Sequence, residues 1–167
     1  MLRRPCPECG LDTSSFTRED IPDMIAASAA AWQQALAAPG VADRSRPDKW
    51  SPLEYGCHVR DVFRLYHYRL GLMLTEDDPL FPNWDQDETA VAERYGEQDP
   101  AQVAEQLSEA AQAIADRFAA VSGDQWRRTG RRSDRAVFTV ETFGRYLIHD
   151  PVHHLYDVTG VRHAAAS

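Results

Sequence analysis

The feature that most constrains this chain is a cluster of three histidines near its C-terminal end, in His149-Asp150-Pro151-Val152-His153-His154. Apolar residues recur at helical spacing around it, so the segment is predicted to be helical. His149 and His153 are four residues apart, which places them about 40° apart on one helix face, one turn from each other. Two imidazoles at this spacing can bind one ion such as Zn, Cu, Fe or Ni. A third ligand must then come from elsewhere.

Pro151 lies inside this predicted helix, where a proline removes one hydrogen bond and bends the helix. Two interpretations follow. One helix could continue through the proline with a kink, or Asp150 and Pro151 could be the N-cap and first residue of a new helix that excludes His149. We favour the single kinked helix, because the residues before it already follow a helical pattern and would carry His149 inward: Phe143, Tyr146 and Leu147.

The best candidate for the third ligand is His58, in an earlier predicted helix. Ser51 suits the N-cap of this helix and Pro52 its first position, and Glu54 completes a capping box. His58 would lie about two turns further on, among apolar residues of the core face. A histidine in such a place is often only hydrogen-bonded. A metal ion shared with the late histidines is the alternative interpretation.

Length and charge narrow the class of protein. With 167 residues, 43% apolar and 26% charged, the chain suits one globular domain with a sizeable core. The net charge of −8 opposes nonspecific binding to nucleic acid or anionic membrane. No apolar run approaches the about 20 residues that span a bilayer, and the first residues lack a secretory apolar region. Three cysteines, an odd number, fit a reducing compartment, so a cytoplasmic location is expected.

Cys6 and Cys9 stand in Cys6-Pro7-Glu8-Cys9-Gly10, which looks like half of a four-ligand zinc site. The sequence has no second CxxC, so further donors would have to be other residues, with Cys57, His67, His154 and His163 as candidates. A metal there would hold the N-terminal arm, residues 1–16, in place. A redox pair and no special role are the alternatives, and no βαβ pattern supports a thioredoxin-like site.

The rest of the pattern predicts helices joined by one unusual connection. Apolar residues at steps of three and four predict a first helix after Thr17 and a third after Pro100. Residues 75–95 are irregular and aromatic, which suits a long crossover that forms part of a pocket wall. Asp85 or Asp87 in this crossover could serve a site, although acidic loops are more often simply solvated.

Five arginines precede the last helix, around turn-forming residues that predict a hairpin or loop: Arg127, Arg128, Arg131, Arg132 and Arg135. Arg131 and Arg132 are candidate contacts for an anionic substrate, since guanidinium binds carboxylate or phosphate through paired hydrogen bonds. A solvated loop of salt bridges is the alternative. The last helix is expected to run from about Val140 and to end at Gly160, a suitable C-terminal cap.

Two segments, residues 50–62 and 132–158, together resemble the DinB-like metal-binding superfamily, and in particular its actinobacterial branch with an N-terminal CPECG. The resemblance runs over nearly the whole chain and is specific in these two segments. It implies an all-α four-helix bundle over residues 17–162, connected up-down-down-up with a long crossover between helices 2 and 3. It also implies a divalent metal near one end of the bundle, held by the matching residues His58, His149 and His153.

Some members of this superfamily are mycothiol-dependent isomerases or thiol transferases, and many have no assigned activity. The resemblance therefore implies a metal-dependent enzyme of small molecules, either a thiol transferase or isomerase or a hydrolase. Zinc or nickel is the expected metal, a low-molecular-weight thiol an expected cosubstrate, and a homodimer the expected assembly. A non-catalytic bundle, in which the ion only stabilises an interaction module, is the alternative. A zinc-knuckle binder of nucleic acid fits the acidic charge poorly.

Histidine ligands also need partners that fix their orientation. Glu54, Asp61 and Asp157 lie within reach of the ligand-bearing turns and are the candidate partners. His154 lies about 100° from His153 on a regular helix, so it should point away from the ion that His153 binds. We expect it to act as an acid or base, or to bond structurally.

Overall fold

The computed structural model describes residues 4–164, which form four long helices, one short helix and a small hairpin. The helices are α1 (Ile21–Leu36), α2 (Pro52–Thr75), the short α3 (Gln86–Ala92), α4 (Pro100–Ala119) and α5 (Val140–Thr159). The hairpin pairs β1 (Thr129–Arg131) with β2 (Val137–Thr139) in antiparallel register. The predicted four-helix bundle is confirmed, and α3 lies within its long crossover. In the part of the chain that the structure describes, each helix is too short or too polar to cross a membrane.

Local sequence signals mark the start of α2 and both ends of α5. The Ser51 hydroxyl accepts from the Glu54 amide at 3.2 Å, and the Ser51 amide donates to the Glu54 carboxylate at 3.1 Å, so the predicted capping box is present. The Thr139 hydroxyl caps α5 by accepting from the Thr142 amide at 3.1 Å. Gly160 ends α5 with a positive φ of 70°, which glycine adopts readily.

A single helix α5 runs through Pro151, as favoured from the sequence. The carbonyl oxygen of Pro151 accepts a hydrogen bond of 3.0 Å from the indole Nε1 of Trp32, which is fully buried. This contact ties the middle of α5 to α1. All the candidate ligands of the histidine segment therefore project from one continuous helix.

The core lies between the long helices, with α4 and α5 both packed against α1 and α2. The contact of α5 with its neighbours is close at Gly144. A Cβ atom there would lie 2.7 Å from Cδ1 of Ile21 and 2.9 Å from a ring carbon of Phe118. Since real Cβ atoms do not approach so closely, only glycine allows α5 this position.

The crossover is fastened to the hairpin. The Phe81 amide donates to the Arg131 carbonyl, and the Arg131 amide donates to the Pro79 carbonyl, both at 2.8 Å. Through these bonds Leu80 of the crossover pairs with Arg131 of β1 in a parallel β-bridge. The crossover is thereby fixed against α2, and its Trp84 reaches the candidate site at His58.

The N-terminal arm packs on α5, although the first three residues of the predicted arm 1–16 lie outside the described part. Cys9, Leu11 and Phe16 are buried in the common core. The Arg145 guanidinium, from α5, donates to the carbonyl oxygens of Thr13 and Phe16 at 2.6 Å each. The arm is therefore joined to the helix that carries the histidine segment.

Candidate metal centres

Helix α5 carries two pairs of candidate ligand residues, and the second pair is shifted by one residue from the first. His149 and His153 form one pair, and Asp150 and His154 form the other. Members of each pair lie one turn apart, and the two pairs are offset by about 100° around the helix. The pairs therefore face different neighbours.

The second pair meets His58 of α2, and these three residues form what we call the inner cluster. The three offer ligand atoms that all lie within 4.8 Å of one another. Oδ2 of Asp150 lies 3.4 Å from Nε2 of His58 and 3.7 Å from Nε2 of His154. These distances are long for hydrogen bonds. They resemble the about 3.3–3.6 Å between neighbouring ligands of a tetrahedral zinc with bonds of about 2.0–2.2 Å.

The inner cluster leaves buried polar atoms without partners. Nδ1 of His58 and Oδ1 of Asp150 have no hydrogen-bond partner within the described structure. Most buried polar atoms of proteins are partnered, so such atoms need an explanation. A cation bound by Oδ2 of Asp150 and Nε2 of the two histidines would balance the charge of this half-buried carboxylate, whereas Nδ1 of His58, on the far side of its ring, would not contact it. Two imidazoles and one carboxylate are a donor set that zinc and similar ions accept.

The electrostatic environment favours the protonation states that bind metal. Burial raises the pKa of Asp150, but the hydrogen bond and charge of His58, with the charge of His154, outweigh it and hold this pKa below its ordinary value. Burial lowers the pKa of His154, in spite of the opposing carboxylates. An ionised carboxylate and a neutral imidazole are the forms that coordinate a cation.

Of the three predicted partners of the ligands, Asp157 is the one placed against a histidine in the described structure. Its Oδ2 lies 2.9 Å from Nδ1 of His154. Glu54 instead binds Arg44, with one carboxylate oxygen 2.7 Å from Nε and the other 2.6 Å from Nη2.

Asp61 also lies with other partners. It accepts a hydrogen bond of 2.9 Å from Nε of Arg60 and another from the Tyr95 hydroxyl. Glu54 and Asp61 are therefore held in ion pairs and hydrogen bonds of their own and do not orient the ligands.

A cavity of about 330 Å³ opens onto the inner cluster at His58 and Asp150. Its wall includes Asn83 and Trp84 of the crossover, as the sequence led us to expect. The Trp84 ring stacks on His58 at 5.8 Å between centroids, and the Trp50 ring lies 5.5 Å from His58 on another side. The histidine is thereby held between two indoles.

Arginine side chains also line this cavity. Arg132 does so, with Nη2 2.7 Å from Asp134, whereas Arg131 is paired with Asp78 at 3.1 Å and is not part of the wall. Arg69, which the sequence pattern did not single out, also lines the cavity. Its side chain is 6% exposed, and its Nε atom has no partner in the described structure. Helix α2 also carries Arg60 and Arg64, and the sequence alone does not show which of its arginines lines the cavity.

The first pair of α5 meets the N-terminal arm, and Cys6, Cys9, His149 and His153 form what we call the outer cluster. Their ligand atoms also lie within 4.8 Å of one another. Sγ of Cys6 lies 3.7 Å from Nδ1 of His153. The further donors considered from the sequence are not part of this group within the described structure. His154 is in the inner cluster, and Cys57 is buried with Sγ 3.7 Å from the Tyr95 carbonyl. His163 meets Cys9 through its backbone amide, which donates to the Cys9 carbonyl at 2.7 Å.

The predicted ligands His58, His149 and His153 are therefore not brought together. The docked arm brings two thiols to the face of α5 that carries His149 and His153, while the adjacent face meets α2. The sequence held a signal for this division, since Asp150 and His154 are also four residues apart. Asp150 was considered only as a possible N-cap, so its carboxylate was missed as a ligand.

Comparisons with known proteins agree on the fold. A family model described as the DinB superfamily matches residues 30–158 of the chain. A solved structure of YfiT from Bacillus subtilis, described as a probable metal-dependent hydrolase with an unusual four-helix bundle topology, superposes with a TM-score of 0.77. That alignment covers 86% of this chain and 84% of YfiT, at 20% sequence identity, which is a likeness of fold. Among curated proteins, no sequence matches significantly.

Proposed function

The chain belongs to the DinB superfamily, and on that premise we propose that it is a divalent-metal-dependent enzyme whose ion is held by the inner cluster. The observation that carries the proposal is the position of Asp150. Its half-buried carboxylate lines a cavity, and Oδ2 lies 3.4 Å and 3.7 Å from Nε2 of His58 and of His154. A closed, purely structural site would not need that opening.

The residues around the cluster have distinct roles in this proposal. Asp157 accepts a hydrogen bond from the N–H group at Nδ1 of His154, which turns Nε2 toward the ion. Trp50 and Trp84 contact the ring of His58, which is 1% exposed, and help to shield it from bulk water. A zinc or nickel ion bound there would polarise a carbonyl group or lower the pKa of water or of a thiol.

The cavity supports a small, anionic substrate. A volume of about 330 Å³ lies at the lower end of the about 300–1,000 Å³ of ligand pockets. Arg132 and Arg69 both line it, and guanidinium groups bind carboxylate or phosphate oxygens through strong, charge-assisted hydrogen bonds. We therefore propose that these two side chains, rather than Arg131, contact the substrate.

Hydrolysis is the reaction we propose first, because the similar fold of YfiT is described as that of a probable metal-dependent hydrolase. Transfer or isomerisation with a low-molecular-weight thiol is the second candidate, which the superfamily resemblance supports. In that case the thiol and the electrophile that it attacks would both have to fit in the cavity at the inner cluster.

The proposal is tested with purified protein reconstituted with zinc or nickel. A panel of small amides and esters that carry a carboxylate is assayed for hydrolysis, and conjugation of low-molecular-weight thiols is assayed in parallel. We expect turnover to be lost in His154→Ala and in His58→Ala and to be retained in His149→Ala at a temperature where all are folded. Loss in His149→Ala with retention in His154→Ala would instead support a three-histidine site. Turnover that persists in His58→Ala would refute a metal-dependent reaction at this site.

A further inference from the structure

We propose that the outer cluster is a second metal site, a structural zinc of the two-cysteine, two-histidine type that fastens the N-terminal arm to α5. The proposal is independent of the reaction at the inner cluster. It depends on the placement of Cys6, Cys9, His149 and His153.

The geometry of the donors fits a tetrahedral ion. For Zn–S bonds of about 2.3 Å and Zn–N bonds of about 2.0–2.1 Å, neighbouring sulfur and nitrogen ligands lie about 3.6 Å apart. Sγ of Cys6 lies 3.7 Å from Nδ1 of His153. Two thiolates and two imidazoles fill all four positions of such an ion, which is typical of structural rather than catalytic zinc.

The turn of the arm is shaped to present both thiols. The Gly10 amide donates to the Cys6 carbonyl at 3.0 Å, and the Cys6 amide donates to the Leu11 carbonyl at 2.9 Å. Gly10 has a φ of +81°, and a Cβ atom there would lie 3.3 Å from the carbonyl oxygen of His163. The reversal after Cys9 therefore needs a glycine, and it brings the two cysteines to the same side of the turn.

Carboxylates orient the outer histidine as expected for a metal ligand. While Nδ1 of His153 faces Cys6, its Nε2 lies 3.5 Å from Oε2 of Glu8 and 3.8 Å from Oδ2 of Asp157. Histidines that bind metals commonly direct the other ring nitrogen to a carboxylate. Glu8, between the two cysteines in sequence, supplies one such carboxylate from the arm itself.

An ion in this position would join residues from opposite ends of the chain. The arm is otherwise attached by buried Leu11, by the hydrogen bonds of Arg145 and by the His163 amide, which donates to the Cys9 carbonyl at 2.7 Å. Because binding energy at such a site is also folding energy, the ion would hold the arm against α5. All three cysteines are free thiols, so the arm is not held by a disulfide.

The first test is metal stoichiometry of the full chain by elemental analysis. We expect two zinc ions in the wild-type protein, one in Cys9→Ser and one in His58→Ala, each variant having lost a different site. Cobalt substitution tells the sites apart, because only thiolate ligands give a sulfur-to-cobalt charge-transfer band. The band should be present in the wild type and in His58→Ala and absent in Cys9→Ser. Absence of the band in cobalt-loaded wild type would overturn the proposal, whatever the outcome of the activity assays.

A second test needs no variant and therefore does not depend on the folding of one. Folded wild-type protein is treated with iodoacetamide and each cysteine is followed by mass spectrometry. We expect Cys6 to be protected in zinc-loaded protein and to react after a chelator is added. Cys57, which is fully buried, should stay unreacted in both states and reports that the fold is intact. Equal alkylation of Cys6 with and without chelator, or a Cys6–Cys9 disulfide in freshly purified protein, would contradict the proposal.

Discussion

The carboxylate of Asp157 lies 2.9 Å from Nδ1 of His154, one turn along the same helix. The same oxygen lies 3.8 Å from Nε2 of His153, so one side chain contacts a histidine of each cluster. Loss of such an orienting partner usually lowers metal affinity by about 10–100-fold. We expect Asp157→Ala to weaken zinc binding at the inner cluster by this factor. Competition with a chromogenic chelator measures it, in a Cys9→Ser background that leaves only the inner cluster.

Asp157→Asn is the matched control for that measurement. The amide oxygen can still accept from Nδ1 of His154 but carries no charge, so its effect should lie between those of wild type and Asp157→Ala. An unchanged dissociation constant in Asp157→Ala would show that Asp157 does not orient the ligand.

Gly144 sets how closely α5 approaches α1 and α4, and both clusters depend on α5. We expect Gly144→Ala to destabilise the protein by about 1–3 kcal/mol, because the added methyl group would meet Ile21 and Phe118 in a packed core. Urea denaturation followed by circular dichroism measures the change.

Gly71 in α2 is the control for Gly144, since its added methyl group would meet only the end of the flexible Arg117 side chain. Nη1 of Arg117 would have to shift from its hydrogen bond of 2.8 Å to the His67 carbonyl, a loss that the gain in helix propensity offsets. Alanine also stabilises a helix interior relative to glycine, by about 0.5–1 kcal/mol. Gly71→Ala should therefore be neutral or slightly stabilising. Equal losses in the two variants would show that close packing of α5 is not the cause.

Much of the fold was predictable because its signals are local. Ser51 with Glu54, and Gly160 after the last turn, mark helix ends through hydrogen bonds and backbone angles that a few neighbouring residues determine. The continuity of α5 through Pro151 could also be inferred, since the apolar pattern extends across it. Periodicity of this kind needs no knowledge of the tertiary structure.

The division of the ligands was not predictable in the same way. The segment His149-Asp150-Pro151-Val152-His153-His154 contains two pairs at four-residue spacing, and spacing alone does not tell which pair meets α2. That depends on where the arm docks and on how α5 is rotated, which are long-range properties. Cys6 meets His153 across 147 residues of sequence, a contact that the spacing within α5 does not predict.

Glu54 makes a pH-dependent contribution to stability. The hydrogen bonds from Arg44 outweigh burial and hold the pKa of Glu54 below its ordinary value. The contribution is therefore complete above the unfolded pKa of about 4.3 and is lost as the pH falls through the lower folded value. We expect Glu54→Gln to cost about 1 kcal/mol at pH 7, a modest value because Arg44 is partly exposed. Urea unfolding of both proteins from pH 7 down to pH 3 should show this difference shrinking below about pH 4.

Glutamine keeps an oxygen that can accept from the Ser51 amide, so this variant isolates the ion pair from the helix cap. Glu97→Gln, in a pair with Arg94 on the surface, should leave stability unchanged at every pH. A Glu54→Gln difference that does not vary with pH would point to packing instead of charge.

Cys6 should be unusually reactive once metal is removed. Burial raises its pKa, but hydrogen bonds from the His149 side chain and from the backbone of Cys9 and Glu8 outweigh it and lower the pKa to about 6. The pKa of a free cysteine is about 8.5. In chelator-treated protein, the rate of Cys6 alkylation should therefore rise with a midpoint near pH 6, because the thiolate is the reacting form. Alkylation that is quenched after set times and followed by mass spectrometry between pH 5 and pH 9 gives the dependence of this rate on pH.

His149→Ala should shift that midpoint upward, since it removes the hydrogen bond from the His149 side chain that helps to lower the pKa. Burial raises the pKa of Cys57 to about 12, so this residue should stay unmodified across the whole range and serves as the internal reference. A Cys6 midpoint above pH 8 in the metal-free protein would mean that its thiol is not held by the imidazoles of α5. In that event the arm would have moved away on loss of the ion, and the outer cluster would exist only when metal is bound.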